Sequence, residues 1–145
     1  MTKRCREFIL KVEFKVGHPG RKRERVMEGY SISQVAARFG VEPHTLRFYE
    51  KEGIIHPQRT ASGVRSYSEE NLAQLEMAMC LKSTGMHLKE IRRYFELIDQ
   101  GDGTLEERLA IFTDHRTRVL REIEELQKHL AKIEHKIAYL KKQEA

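Results

Sequence analysis

Cysteine is scarce in this chain, and its scarcity excludes several chemistries. The 145 residues hold only Cys5 and Cys80, which form no metal-ligand spacing and give no sign of a disulfide framework. That pattern suits a reducing compartment. Long apolar runs are missing too. None approaches the roughly 20 residues of a membrane helix, and the 8–16 stretch is broken by Lys11, Glu13 and Lys15 where a secretory signal would be continuous. A cytoplasmic, nucleoid-associated protein with no membrane partner is expected. Also absent are a Ser/His/Asp or Cys/His grouping at meaningful spacing, a phosphate-cradling glycine loop and a paired-carboxylate site. The chain is therefore expected to be no enzyme and to hold no metal or cofactor.

The formal net charge of +5 invites a nucleic-acid reading, but its distribution weakens that argument. Residues 1–26 carry nine Lys/Arg against three Asp/Glu (+6), residues 27–103 nine against eleven (−2), and residues 104–145 nine against eight (+1). The surplus belongs to an N-terminal extension, residues 1–29, with alternating apolar residues at 8–16 and a basic run at 21–25. Two readings stay open for it: Met27 is the natural start, or the segment is a basic arm. DNA binding has to be argued from where particular side chains are displayed.

Residues 31–67 carry that argument. Ile32, Val35, Ala36 and Phe39 recur at helical spacing, and Ser33 can cap the free N–H groups ahead of them. Gly40 tolerates φ > 0, and Pro43 suits a first helical turn, which has no N–H to lose. A second short helix follows and ends at Gly53. Val41 and Leu46 close a small core beneath the turn, while Thr45, Arg47 and Tyr49 are expected outside, able to reach phosphates or base edges. Ile54, Ile55, Pro57, Arg59, a turn at 60–63, and Val64, Arg65, Ser66 and Tyr67 then read as a two-stranded hairpin. Two short crossing helices and a basic hairpin make a winged helix-turn-helix.

Ser68, followed by Glu69 and Glu70, opens a third helix with Leu72, Leu75 and Met79 inward. A fourth carries Leu88, Ile91, Tyr94, Phe95 and Ile98. A linker at 101–103 leads to a last segment, 104–145. There Leu105, Leu109, Phe112, Arg116, Val119, Ile123, Leu126, Leu130, Ile133, Ile137 and Leu140 alternate spacings of four and three. Such a row is the seam of a coiled coil about 54 Å long, which one helix cannot bury alone. A homodimer is expected. His115, His129 and His135 fall on the charged faces of this helix and are expected to be solvated.

Three stretches, TLRFYEKEGII, the run GVRSY at 63–67 and LKSTGMHLKEI at 81–91, resemble the MerR family of bacterial transcriptional regulators. The likeness extends over residues 30–142. It implies a mainly α fold, with a winged helix-turn-helix head (30–100) and an antiparallel coiled-coil dimer built on the C-terminal helix. It also implies a mechanism in which a dimer on a pseudo-palindromic promoter spacer distorts the DNA so that RNA polymerase engages both promoter elements. Arg47 and Tyr49 are then groove and backbone contacts, with Thr45 beside them. Arg59, Arg65 and Tyr67 are anchors on the wing, and Lys82 is a phosphate contact. Phe48 stands where relatives often have Tyr.

The loop at 99–104 has no cysteine, and only residues 141–145 follow Leu140, so metal or bulky-drug sensing is not expected. Cys80, in EMAMCLKSTGM, is similar to the sensor thiol of the single-cysteine subgroup (AdhR/NmlR-like) that answers aldehydes, electrophiles or nitrosative stress. A small electrophile is the signal this implies, with Cys5 incidental. The alternatives are a buried, inert Cys80 in an effector-independent DNA-bending protein or repressor, and a coiled-coil adaptor.

Overall fold

The computed structural model describes residues 29–144. The expectations for Cys5, for the 8–16 and 21–25 stretches and for Met27 lie outside those residues. In chain order come α1 (Ile32–Phe39), α2 (Pro43–Lys51), β1 (Gln58–Arg59), β2 (Arg65–Ser66), α3 (Glu69–Ser83), α4 (Leu88–Asp99), a 3-10 turn (Asp102–Thr104) and α5 (Leu105–Gln143). The protein is mainly helical, with one two-stranded antiparallel sheet that pairs Gln58 with Ser66 and Arg59 with Arg65. The residues through Thr104 and those from Leu105 form two compact units.

Local chemistry explains the head. Ser31, not Ser33, caps α1: its hydroxyl accepts from the Gln34 N–H, and the Gln34 side chain accepts from the Ser31 N–H. The reciprocal pair is a capping box, and it moves the helix start two residues earlier than Ser33 would place it. Gly40 ends α1 at φ 66°, ψ 34°, a conformation in which a Cβ is strained. Three residues farther on, Pro43 opens α2. Ser68 repeats the capping box with Asn71 at the start of α3.

The head's core gathers Val35 and Ala36 of α1, Leu46 and Tyr49 of α2, Ile54, Ile55, Tyr67, and Leu72, Leu75, Ala78 and Leu81 of α3, together with Met86, Ile91, Phe95 and Leu97. α3 is buried around most of its circumference, with Met79 only half-buried. The chain entry is tied in by a bridge in which Tyr30 and Tyr67 exchange both backbone hydrogen bonds, at 2.8 and 2.9 Å. A Cβ on the adjacent Gly29 would collide with Ser66 Oγ and the Tyr67 carbonyl, so this close approach requires glycine. The Thr104 hydroxyl donates to the carbonyls of Leu97 and Gly101, both at 2.7 Å, and closes the unit.

α5 is one continuous helix of 39 residues. Along its seam Leu105, Leu109, Ile123, Leu126, Leu130, Ile133, Ile137 and Leu140 are exposed in the single chain, as is Arg116, whereas Phe112 and Val119 are half-buried. One expectation fails on this helix. His115 is 8% exposed, with Nδ1 3.0 Å from an Arg118 Nη; it is a buried histidine, unlike the exposed His129 and His135. No described helix is long and apolar enough to cross a membrane.

Candidate nucleic-acid interface

The second helix decides what this head can touch. Leu46 is fully buried and Tyr49, three residues on, is 7% exposed, so α2 sits on the core along that edge. The opposite edge is fixed by helical geometry: His44, Arg47, Phe48 and Lys51 follow one another at i, i+3, i+4 and i+7, and all four are exposed. Thr45 flanks this strip, half-buried. Of the expected trio Arg47 is exposed and Thr45 half-buried, and only the place of Tyr49 is corrected. Tyr49 faces inward, where burial raises its phenol above the ordinary value, and Phe48 takes the outward place, with its ring against Tyr49 in an edge-on contact (centroids 6.0 Å, 64°).

The wing is fastened to this helix. Arg65 Nε on β2 donates to Glu50 Oε2 on α2 at 2.6 Å, with both side chains about a quarter exposed. The bond raises the Arg65 pKa, so the guanidinium keeps its charge. Its Nη groups have no hydrogen-bond partner among the described residues and can still meet a phosphate. Arg59 is held differently: Nη1 donates to the Gly63 carbonyl at 2.9 Å and cinches the wing turn. Within that turn Thr60 Oγ1 accepts from the Val64 N–H at 3.1 Å.

Tyr67 was also expected on the surface, and it is not there. It has no exposed surface, and its hydroxyl is buried without a hydrogen-bond partner among the described residues. Burial, reinforced by the Glu50 carboxylate and opposed by Arg65 and Arg47, raises its pKa. The ring belongs to the core of the head. Lys82 is exposed on the last turn of α3. Cys80 is 1% exposed and its sulfur is in a disulfide, which corrects the expectation that the cysteines take no part in one; the expected sensor thiol is therefore neither free nor at the surface. Among the described residues no His/Cys/Asp/Glu group could hold a metal ion.

Sequence reasoning missed His44, Lys51 and Glu50. For the first two the signal was present, because Leu46 had already been assigned to the core and its helical opposite face follows from that.

Two family models match the chain: the MerR HTH family regulatory protein over residues 30–98, and the MerR DNA-binding model over residues 72–136. The chain belongs to the MerR family. An HTH-type transcriptional regulator of Haemophilus influenzae is 38% identical over 117 residues, covering 80% of this chain and 87% of the relative. AdhR of Bacillus subtilis is 38% identical over 91 residues, covering 62% and 65%. Among solved structures, HiNmlR, described as a MerR family regulator lacking the sensor domain and bound to promoter DNA, is 38% identical with a TM-score of 0.62, covering 78% of this chain and 90% of that one. A MerR family structure from Listeria monocytogenes is 27% identical with a TM-score of 0.66, covering 75% and 83%. The chain is thus a DNA-binding MerR family regulator that falls with the AdhR- and NmlR-like members, and its relatives are transcriptional regulators, not enzymes.

Proposed function

We propose that the chain acts as a homodimer on a pseudo-palindromic promoter spacer, which it distorts so that RNA polymerase engages both promoter elements. The observation that carries this is the tie between Glu50 and Arg65. It fixes the wing against a helix whose outer strip holds Arg47, Phe48 and Lys51, and a protein that bends a duplex needs contacts held rigidly on either side of the bend. Arg47 and Lys51 make the groove and backbone contacts, with Thr45 at the flank. Arg65 and Arg59 anchor the wing, and Lys82 adds a phosphate contact. The exposed seam of α5 supports self-association: Leu109, Ile123, Leu126, Leu130, Ile133, Ile137 and Leu140, with Phe112 and Val119, form the dimer contact, antiparallel as the family likeness implies.

The signal is a thiol-reactive compound, a small aldehyde or other electrophile, received at Cys80. Because the sulfur is buried and in a disulfide in this structure, reaction there requires prior reduction and a local opening of α3. The same burial favours a second reading, in which the protein bends DNA and takes no effector. One experiment separates the two: transcription in vitro from the footprinted promoter with RNA polymerase and the reduced protein, with and without methylglyoxal. Activation that disappears in Cys80→Ser supports sensing. Activation indifferent to the compound supports the second reading, and a chain that protects no duplex overturns both.

A further inference from the structure

Among the described residues of the head, Phe48 and Val64 are the only large apolar side chains left exposed. Val64 lies in the wing turn. Phe48, 47% exposed, occupies the middle of the outer strip of α2, between His44 one turn before it and Lys51 one turn after, beside Arg47. Nothing in the helix asks for an aromatic residue there: Phe is a poorer helix former than Lys, Gln or Ala, and the position faces away from the core. Its ring is nevertheless not loose, because the buried Tyr49 meets it edge-on.

An apolar ring framed by cations suits one kind of surface. Arg47 and Lys51 draw the strip against phosphates whatever the sequence, while the major groove presents a single purely apolar group, the thymine C5-methyl. We infer that Phe48 is a specificity-determining residue that packs on a thymine methyl, once per bound head. The inference rests on the DNA-binding reading above and deepens it by assigning one base preference to one side chain. It also gives Phe48 a role that Tyr would perform differently, since a phenol at the ring tip would bring a polar group to the methyl.

The test uses the full chain and an operator selected from a random duplex library. Each thymine of that operator is replaced in turn by deoxyuridine, which deletes the methyl and keeps every base-pairing group. With the wild-type protein, uracil at one thymine per half-site is expected to weaken binding about fourfold, the factor for losing one buried methylene-sized contact. Phe48→Ala should bind the thymine and uracil duplexes equally, so that the two changes couple fully in a double-mutant cycle, and Phe48→Leu should restore part of the thymine preference. A uracil scan that leaves wild-type affinity unchanged overturns the assignment, as does a loss that persists undiminished in Phe48→Ala. Either result leaves the DNA-binding reading intact. Failure of the selection to enrich any duplex overturns that reading, and this one with it.

Discussion

Tyr67 is buried in the head and is not an anchor on the wing surface. Its hydroxyl is buried without a partner among the described residues, a state that costs on the order of 1 kcal/mol or more. Tyr67→Phe is therefore expected to stabilise the head by about 1 kcal/mol in urea denaturation at neutral pH, and to leave DNA affinity unchanged. A surface phenol anchoring a phosphate would give the opposite pattern. The raised pKa of the same group gives a pH dependence. A phenol whose pKa is higher folded than unfolded keeps its proton longer in the native state, so its contribution is complete below pH 10 and is lost as pH rises through the raised value. The urea midpoint should fall as pH rises above about 10, and fall less in Tyr67→Phe. Arg65, with its Nε occupied by Glu50, is proposed above to use its Nη groups on DNA. Arg65→Ala should weaken binding to specific and random duplexes alike and lower the salt slope by about 1.

Secondary elements were legible in the sequence wherever the determinants are local. The turn at Gly40, the start at Pro43, the wing and the spacing of the α5 row all come from residues within a few positions of one another. Ser33 was preferred to Ser31 as a cap, although Ser31 with Gln34 three residues on is the pair that a capping box requires. Ser31→Ala should accordingly cost about 1 kcal/mol of thermal stability and Ser33→Ala much less. The neighbouring aromatics Phe48 and Tyr49 were harder, because hydrophobicity alone sends the Phe inward; the three-residue step from Leu46 sends the Tyr there. No local signal announces Glu50 and Arg65, fifteen positions apart, since that contact exists only once the wing folds back on α2. Its consequence for binding runs against simple charge counting. Glu50→Ala removes a negative charge from a DNA-facing region, yet it frees the wing, and operator affinity measured by fluorescence anisotropy is expected to fall. A rise would show that the bond does no more than neutralise Arg65.

At the scale of the whole molecule, the described residues leave a long apolar row of leucines and isoleucines exposed along α5. Pairing two such rows removes them from water, and Leu126→Glu with Ile133→Glu should convert a sedimenting dimer to a monomer and abolish operator protection together. Wild-type protein that sediments as one chain at micromolar concentration would remove the dimer from the account. The beginning of α5 and its far end also differ in what they need. From Arg121 to Glu144 every residue is exposed in the single chain, so the distal half of the helix has its own hydrogen bonds and a few exposed side-chain pairs, such as Lys128 with Glu124 and Glu125, and no buried apolar contact to hold it, and a helix in that position frays in water. Dilution should therefore lower ellipticity before it touches the head, and the melting temperature should climb with protein concentration. If the proposed dimer forms, a cell holding few copies would carry regulators with unravelled tails, exposed to proteases, so the pairing helix would also set a minimum abundance for the regulator.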